Sequence, residues 1–109
     1  MAETLLEITD GNFESEVARS STPVLLDFSA EWCSPCKKLA PIVADLARQY
    51  AGRLKVGHVD VETNPASAAR FGVMAVPTFI FFKDGRPAET IAGAPSRREL
   101  EQAILKVIS

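Results

Sequence analysis

Trp32-Cys33-Ser34-Pro35-Cys36 decides how this chain is read, because it holds the only two cysteines among 109 residues and sets them three positions apart. At that spacing the thiols can close one small disulfide ring, and Pro35 stiffens the link between them. A disulfide across so short a loop removes little entropy from the unfolded chain, so it is a weak structural staple. The pair is better suited to opening and closing. Exchange needs an accessible thiolate to attack a disulfide and a second thiol to resolve the mixed disulfide that results. Half of a zinc site is a competing reading, but zinc normally takes four ligands and His58 is the only other soft donor. A purely structural disulfide is disfavoured by the loop entropy. The pair reads as a dithiol redox centre.

Upstream, Val24-Leu25-Leu26-Asp27-Phe28-Ser29-Ala30 is nearly continuous apolar sequence, as expected of a central strand covered on both faces. Leu5-Leu6-Glu7-Ile8 reads as a short first strand, and Asp10-Gly11-Asn12 offers turn and N-cap chemistry for a polar helix through Phe13, Val17 and Arg19. Downstream of the cysteines, Leu39, Ile42, Val43, Leu46, Ala47 and Tyr50 recur at helical spacing, with Lys38, Asp45, Arg48 and Gln49 on the other face. Pro41 removes an N–H inside that helix and predicts a kink, and Gly52 fits its stop. Residues 54–61 read as a strand, and Asn64-Pro65 opens a short helix over 66–71 that Gly72 ends.

Residues 77–82 and 88–92 are strands joined through Lys83-Asp84-Gly85-Arg86, where Asp-Gly signals a hairpin. Ser96 with Glu99 forms a capping-box pattern ahead of the stripe Leu100, Ala103, Ile104, Val107 and Ile108. No repeat, low-complexity tract or linker interrupts the chain. The order β-α-β-α-β-α-β-β-α predicts one α/β domain over 1–109, with parallel crossovers ending in an antiparallel hairpin.

The overall numbers exclude several classes of function. A hydrophobic content of 47% suffices for a core without metal, and a formal charge of −2 lacks the clustered basic face that binds nucleic acid. No apolar run approaches the roughly 20 residues of a membrane span. Met1-Ala2-Glu3-Thr4 is acidic and lacks the charged-then-apolar pattern of a signal peptide, so a reducing, cytoplasmic setting is expected. A mature chain whose targeting segment was cut away would read the same. Nothing in the sequence points to oligomerisation, and a monomer is expected.

Six features in register resemble the thioredoxin family. They are Asp27 in an apolar strand, Trp32-Cys33-Ser34-Pro35-Cys36-Lys37, Pro41 in the following helix, Val76-Pro77-Thr78, Lys83-Asp84-Gly85 and Gly93-Ala94. They span essentially the whole chain in order, where a lone CxxC would be a weak signal. The resemblance implies the thioredoxin fold: a central mixed five-stranded sheet in the order 1-3-2-4-5, with strands 1 and 3 adjacent, flanked by four helices. It also implies a cis peptide before Pro77 and reduction of protein disulfides with no bound cofactor or metal. The implied partners are a flavin- and NADPH-dependent thioredoxin reductase and clients such as disulfide-forming reductive enzymes and peroxide-defence proteins.

Cys33 precedes a helix, where free N–H groups and the dipole favour negative charge, so it is expected to be the attacking sulfur. Cys36 lies a turn deeper and is expected to be less exposed and to resolve. The apolarity of its strand argues that Asp27 is buried rather than solvent-facing or ion-paired. The resemblance places it behind the cysteines as proton acceptor, and desolvation is expected to raise its pKa. Trp32, Met74, Ala75, Val76, Gly93 and Ala94, with Ser34, Pro35 and Pro77 beside them, are expected to form a small apolar docking surface. There the Val76 backbone could pair with an extended client strand. Met74 fits core and docking surface equally well.

Three residues depart from the family pattern. Ser34 replaces the usual glycine between the cysteines, Ser29 stands where a second tryptophan is common, and His58 takes the place of a lysine that neighbours the buried aspartate. His58 is read first as a hydrogen-bonded structural histidine and second as a proton shuttle. Two other functions compete with the reductase reading. One is a disulfide oxidase or isomerase, against which the missing signal peptide argues; the other is a non-catalytic binding module using the same apolar surface.

Overall fold

Every position of β2 (Val24–Ser29) is buried, because this strand pairs on both sides and is covered on both faces. It runs parallel to β3 (Lys55–Asp60) and antiparallel to β4 (Thr78–Lys83). A short β1 (Leu6–Glu7) adds parallel to β3, and β5 (Arg86–Ala92) adds antiparallel to β4, giving the order β1-β3-β2-β4-β5. That is the mixed sheet the family resemblance implies. The computed structural model describes residues 5–109, so the acidic opening Met1-Ala2-Glu3-Thr4 lies outside the described residues.

The period-2 alternation of β2 divides the core in two. Leu25 faces a cluster with Leu39, Val43 and Leu46 of α1 (Ser34–Gln49) and Leu100, Ile104 and Val107 of α3 (Arg97–Ile108). Val24, Leu26 and Phe28 face the opposite cluster, with Phe13, Val17, Ile80 and Phe82. The helical stripes read from the sequence therefore supply one face of the sheet. The expected capping box forms at α3, with Glu99 N–H donating to Ser96 Oγ at 3.1 Å and Ser96 N–H donating to Glu99 Oε1 at 2.9 Å. Pro41 lies inside α1 and is exposed, so the carbonyl that lost its N–H partner is on the side water can reach.

Two local expectations are corrected. The polar helix through Phe13 and Val17 is a single wide turn of π type over Glu14–Ala18, closed by Arg19 N–H donating to Glu14 O at 3.0 Å. So short a helix has little stability of its own, and the buried Phe13 and Val17 anchor it. Asp10 does not cap it. Its carboxylate crosses to α2 (Pro65–Arg70), accepting from Ser67 N–H at 2.8 Å, Ser67 Oγ–H at 2.7 Å and Ala66 N–H at 3.2 Å. Those bonds, the Ser67 hydroxyl first, hold the Asp10 carboxyl below the usual range. The first N–H groups of α2 are thus satisfied from a distant loop, while Asn64, the adjacent residue, makes no side-chain cap.

Two glycines set close approaches. A Cβ at Gly57 would lie 2.6 Å from Ile8 Cγ1, so only glycine lets the segment after β1 close against β3, which brings Glu7 opposite His58. The β4–β5 hairpin turns through Asp84 and Gly85, both at positive φ (54° and 77°), as a two-residue type I′ connection requires. β5 begins two residues before the expected Ala88. A bulge there leaves Pro87 opposite Phe82 on the outer strand, where a missing N–H is tolerated.

A side chain at Gly85 would also overlap the Ala18 carbonyl. Gly85→Ala is therefore expected to lower stability by about 1–3 kcal/mol, whereas Asp84→Gly changes it by no more than about 1 kcal/mol. Urea denaturation of the two variants beside the parent measures both effects.

Candidate active site

Cys33 follows a turn through Glu31 and Trp32, closed by its N–H donating to Ala30 O at 3.1 Å, and forms the N-cap of α1, with Ser34 and Pro35 filling the first turn. Pro35 loses nothing there, since a first-turn N–H has no partner inside the helix. The structure holds the oxidised state: Cys33 and Cys36 are joined as a disulfide with Cα atoms 5.3 Å apart. Cys36 N–H donates to Cys33 Sγ at 3.2 Å, and Lys37 N–H donates to the Cys33 carbonyl. The first sulfur therefore sits where backbone N–H groups and the helix dipole favour a negative charge.

The expected contrast in exposure is not seen. Both cysteines are nearly closed in the disulfide, Cys33 at 3% and Cys36 at 7%. The ring folds both sulfurs against Ala30, Val61 and Val76, so burial does not rank them. They differ in surroundings. Cys36 lines a pocket shared with Asp27, while Cys33 takes the helix end.

Around the disulfide lie the residues expected to meet a client. Val76–Pro77 is a cis peptide, and Val76 packs against the cysteine cluster. Trp32, Val73, Met74, Ala75 and Val76 with Val61 line a shallow cleft of about 120 Å³. Met74 is 96% exposed, which decides against a core role for it, and Trp32 is 66% exposed. Trp32 Nε1–H donates to Glu62 Oε2 at 2.8 Å, a partner the sequence reading missed. Gly93 N–H donates to Pro77 O at 2.9 Å, tying the exposed Gly93-Ala94 turn to the cis-proline loop. Ser34 and Pro35 are exposed on the same side as the helix mouth.

Behind the disulfide, a pocket of about 650 Å³ is lined by Asp27, Ser29, Cys36, Lys37, His58 and Glu7, among others. Asp27 is 6% exposed, and its Oδ1 is the one buried side-chain polar atom without a hydrogen-bond partner among the described residues. Across the sheet it stands level with His58 of β3 on one side and Phe79 of β4 on the other. Burial pushes its carboxyl up to about 6 from 3.8, with the charge of His58 pulling the other way. His58 itself is held at both ring nitrogens: Nε2 meets Ser29 Oγ at 2.5 Å and Nδ1 meets Glu7 Oε1 at 3.0 Å.

Glu7 was not among the residues singled out from the sequence. The available signal was a lone carboxylate inside the apolar Leu5-Leu6-Glu7-Ile8, which nothing local explains. Among the described residues no group of three or more His, Cys, Asp or Glu side chains is arranged to hold a metal ion. No described helix is long and apolar enough to cross a membrane.

A mixed sheet in this order, carrying a CxxC disulfide at the mouth of a helix and a cis-proline loop packed against it, defines a thiol–disulfide oxidoreductase. A sequence model of the family described as Thioredoxin matches residues 4–106. The chain is 42% identical over 103 residues to "Thioredoxin" of Mycobacterium tuberculosis, covering 94% of this chain and 89% of that protein. It is 41% identical over 100 residues to "Thioredoxin" of Pseudomonas aeruginosa, covering 92% and 93% of the two. With "Thioredoxin 1" of Synechococcus elongatus it shares 41% identity over 99 residues, covering 91% and 92%. The chain belongs to the thioredoxin family.

The raised Asp27 pKa fixes a sign for stability. The folded value of about 6 exceeds the unfolded 3.8, so this group's stabilisation is complete below 3.8, declines across that window and is gone above it. A rise of that size corresponds to about 3 kcal/mol. Asp27→Ala is therefore expected to stabilise the protein by about 1–3 kcal/mol near pH 7, with the gain disappearing below about pH 4. Denaturation midpoints of parent and variant at the two pH values check this; a variant weaker than the parent near pH 7 would count against a buried carboxylate.

Proposed function

We propose that this protein reduces disulfides of client proteins by dithiol exchange, with Cys33 attacking, Cys36 resolving and Asp27 accepting the Cys36 proton. The observation that carries the assignment is the Cys33 sulfur at the N-cap of α1, facing the Cys36 amide at 3.2 Å. The same N–H stabilises a thiolate there in the reduced protein.

The Cys33 thiolate attacks one sulfur of the client disulfide, whose S–S bond breaks. The first client sulfur leaves as a thiolate and takes a proton from solvent. Cys36 then gives its proton to Asp27, and the new thiolate attacks the Cys33 sulfur. The mixed disulfide breaks, the second client sulfur leaves, and the Cys33–Cys36 disulfide forms. Two electrons pass from the protein to its client. A carboxyl titrating near neutrality is matched to receiving a thiol proton, because it is largely ionised yet still basic enough to hold one briefly.

Trp32, Met74, Ala75, Val76, Pro77, Gly93 and Ala94, with Ser34 and Pro35, receive the client. The support for this is the exposed apolar cleft beside the disulfide and the Val76 backbone at its rim. A segment laid along it gains main-chain hydrogen bonds without a fixed sequence, as a general reductase needs. Met74 adds a flexible thioether that adapts to different clients. Thioredoxin reductase returns the disulfide to the dithiol, and the protein acts as a single-domain monomer in a reducing compartment, the cytoplasm.

Insulin reduction followed by turbidity, driven by NADPH and a thioredoxin reductase, is the test. Cys33→Ser is expected to lower the rate to that of buffer, while Cys36→Ser accumulates a stable mixed disulfide with the client. Unchanged reduction by Cys33→Ser overturns the mechanism in favour of a binding module. Equilibration of the parent with glutathione separates reductase from oxidase, a reductase being the more reducing couple.

A further inference from the structure

Three strands bring a continuous line of hydrogen-bonding side chains from solvent to the pocket behind the cysteines. Glu7 on β1 is exposed, with its carboxylate 3.0 Å from Nδ1 of the partly exposed His58 on β3. His58 Nε2 is 2.5 Å from the hydroxyl of the buried Ser29 on β2. Ser29, His58 and Asp27 line the same pocket as Cys36.

The chemistry of the donors fixes the protons. An ionised carboxylate only accepts, so His58 Nδ1 carries a proton, and in the neutral ring Nε2 accepts from Ser29 O–H. When the ring is charged, Nε2 donates to the same hydroxyl oxygen, which rotates to serve either state. The line thus takes up a proton at Nε2 without losing a hydrogen bond.

We propose that Glu7, His58 and Ser29 form a proton relay that returns the Asp27 proton to solvent after each turnover, with His58 as its central positioning residue. This rests on the dithiol mechanism above, in which Asp27 becomes a neutral acid when Cys36 is deprotonated. Asp27 passes that proton through pocket water to the Ser29 hydroxyl, which gives its own proton to His58 Nε2. The imidazolium forms opposite the Glu7 carboxylate and loses its Nδ1 proton to solvent. One proton enters and one leaves, no electrons move, and solvent exchange at the partly exposed ring restores the resting tautomer.

The charge of His58 also holds the Asp27 carboxyl lower than burial alone would, so protonation of the ring favours release of the acid proton. The charged and titratable groups that line the pocket with His58 are Glu7 from β1, Asp27 from β2, Asp60 from β3, Glu31 from the loop after β2, and Lys37 and Cys36 from α1. Any of them can displace a pH profile, so the variants must act on His58 and on its hydrogen-bond partner separately.

The test follows insulin reduction over many turnovers, driven by NADPH and a thioredoxin reductase kept in excess, from about pH 5 to 9, read by the loss of NADPH absorbance. His58→Gln keeps hydrogen-bonding capacity but carries no charge. It is expected to slow reduction about tenfold near neutral pH, below the full contribution of a positioned proton acceptor because the pocket opens to solvent. It should also lose one inflection of the parent's profile. Glu7→Gln, at an exposed position that folding tolerates, is expected to move that inflection.

A His58→Gln profile with the parent's shape overturns the relay, whether or not the overall rate falls. If His58→Gln does not fold, an unmoved inflection in Glu7→Gln overturns it. The parent's own activity and its loss in Cys33→Ser test the dithiol mechanism independently.

Discussion

The pairing of β2 with β3 and β4 places one carboxyl, Asp27, in the middle of a strand whose six positions are all buried. On the β4 side its neighbour is Phe79, and beyond that Ile91 of β5, neither of which can offer it a proton or a charge. On the β3 side stand His58 and, across β1, Glu7. The sheet thus gives Asp27 an apolar wall on one flank and a polar outlet on the other. The fold sustains this unfavourable burial because two separate apolar clusters, one on each face of the sheet, hold the strand in register. The same desolvation that weakens the fold at neutral pH lifts the carboxyl into the range where it can exchange protons with a thiol. Stability and chemistry draw on one interaction with opposite signs.

The cysteine pair and the helix after it divide the remaining work by backbone geometry. A helix N-terminus lacks intrahelical acceptors for its first N–H groups, and here one of them faces a sulfur. Both cysteines are nearly closed off in the disulfide state, so exposure does not distinguish them there. The two sulfurs differ in environment, helix mouth against carboxylate-lined pocket, and it is on this difference that the proposed roles of attacking and resolving sulfur rest.

Most of the fold was legible because its signals are local. The apolar run of β2, the stripe from Leu39 to Tyr50, the Asp84-Gly85 turn and the Ser96–Glu99 box each specify an element within a few residues. What stayed hidden required knowing which distant segments meet. Asp10 looked like a cap for the nearest helix, yet its carboxylate serves α2. Glu62 as a partner for Trp32, and Glu7 as a partner for His58, depend on strand register and loop placement that no single segment encodes. The relative exposure of the cysteines was missed for another reason: it belongs to the oxidation state as well as to the position. The effect of Ser34 in place of glycine has no explanation in the structure.

Ser29 and His58, two separate departures in the sequence, become one unit in space. They lie on adjacent strands and two residues apart in register, Ser29 pairing with Asp60 while His58 pairs with Asp27, so their contact is a diagonal one across the ladder. Backbone pairing rather than side-chain ordering fixes the approach, and both short side chains lose little freedom in making it. With Glu7 on the far side of the ring, the arrangement matches the acid–imidazole–hydroxyl line of a serine nucleophile, but the setting does not support acyl transfer. Ser29 lies in a central strand whose backbone groups belong to two ladders, and its own carbonyl accepts from Val61 N–H. A hydroxyl bonded to an imidazole can still pass protons, and Asp27 lines the same pocket.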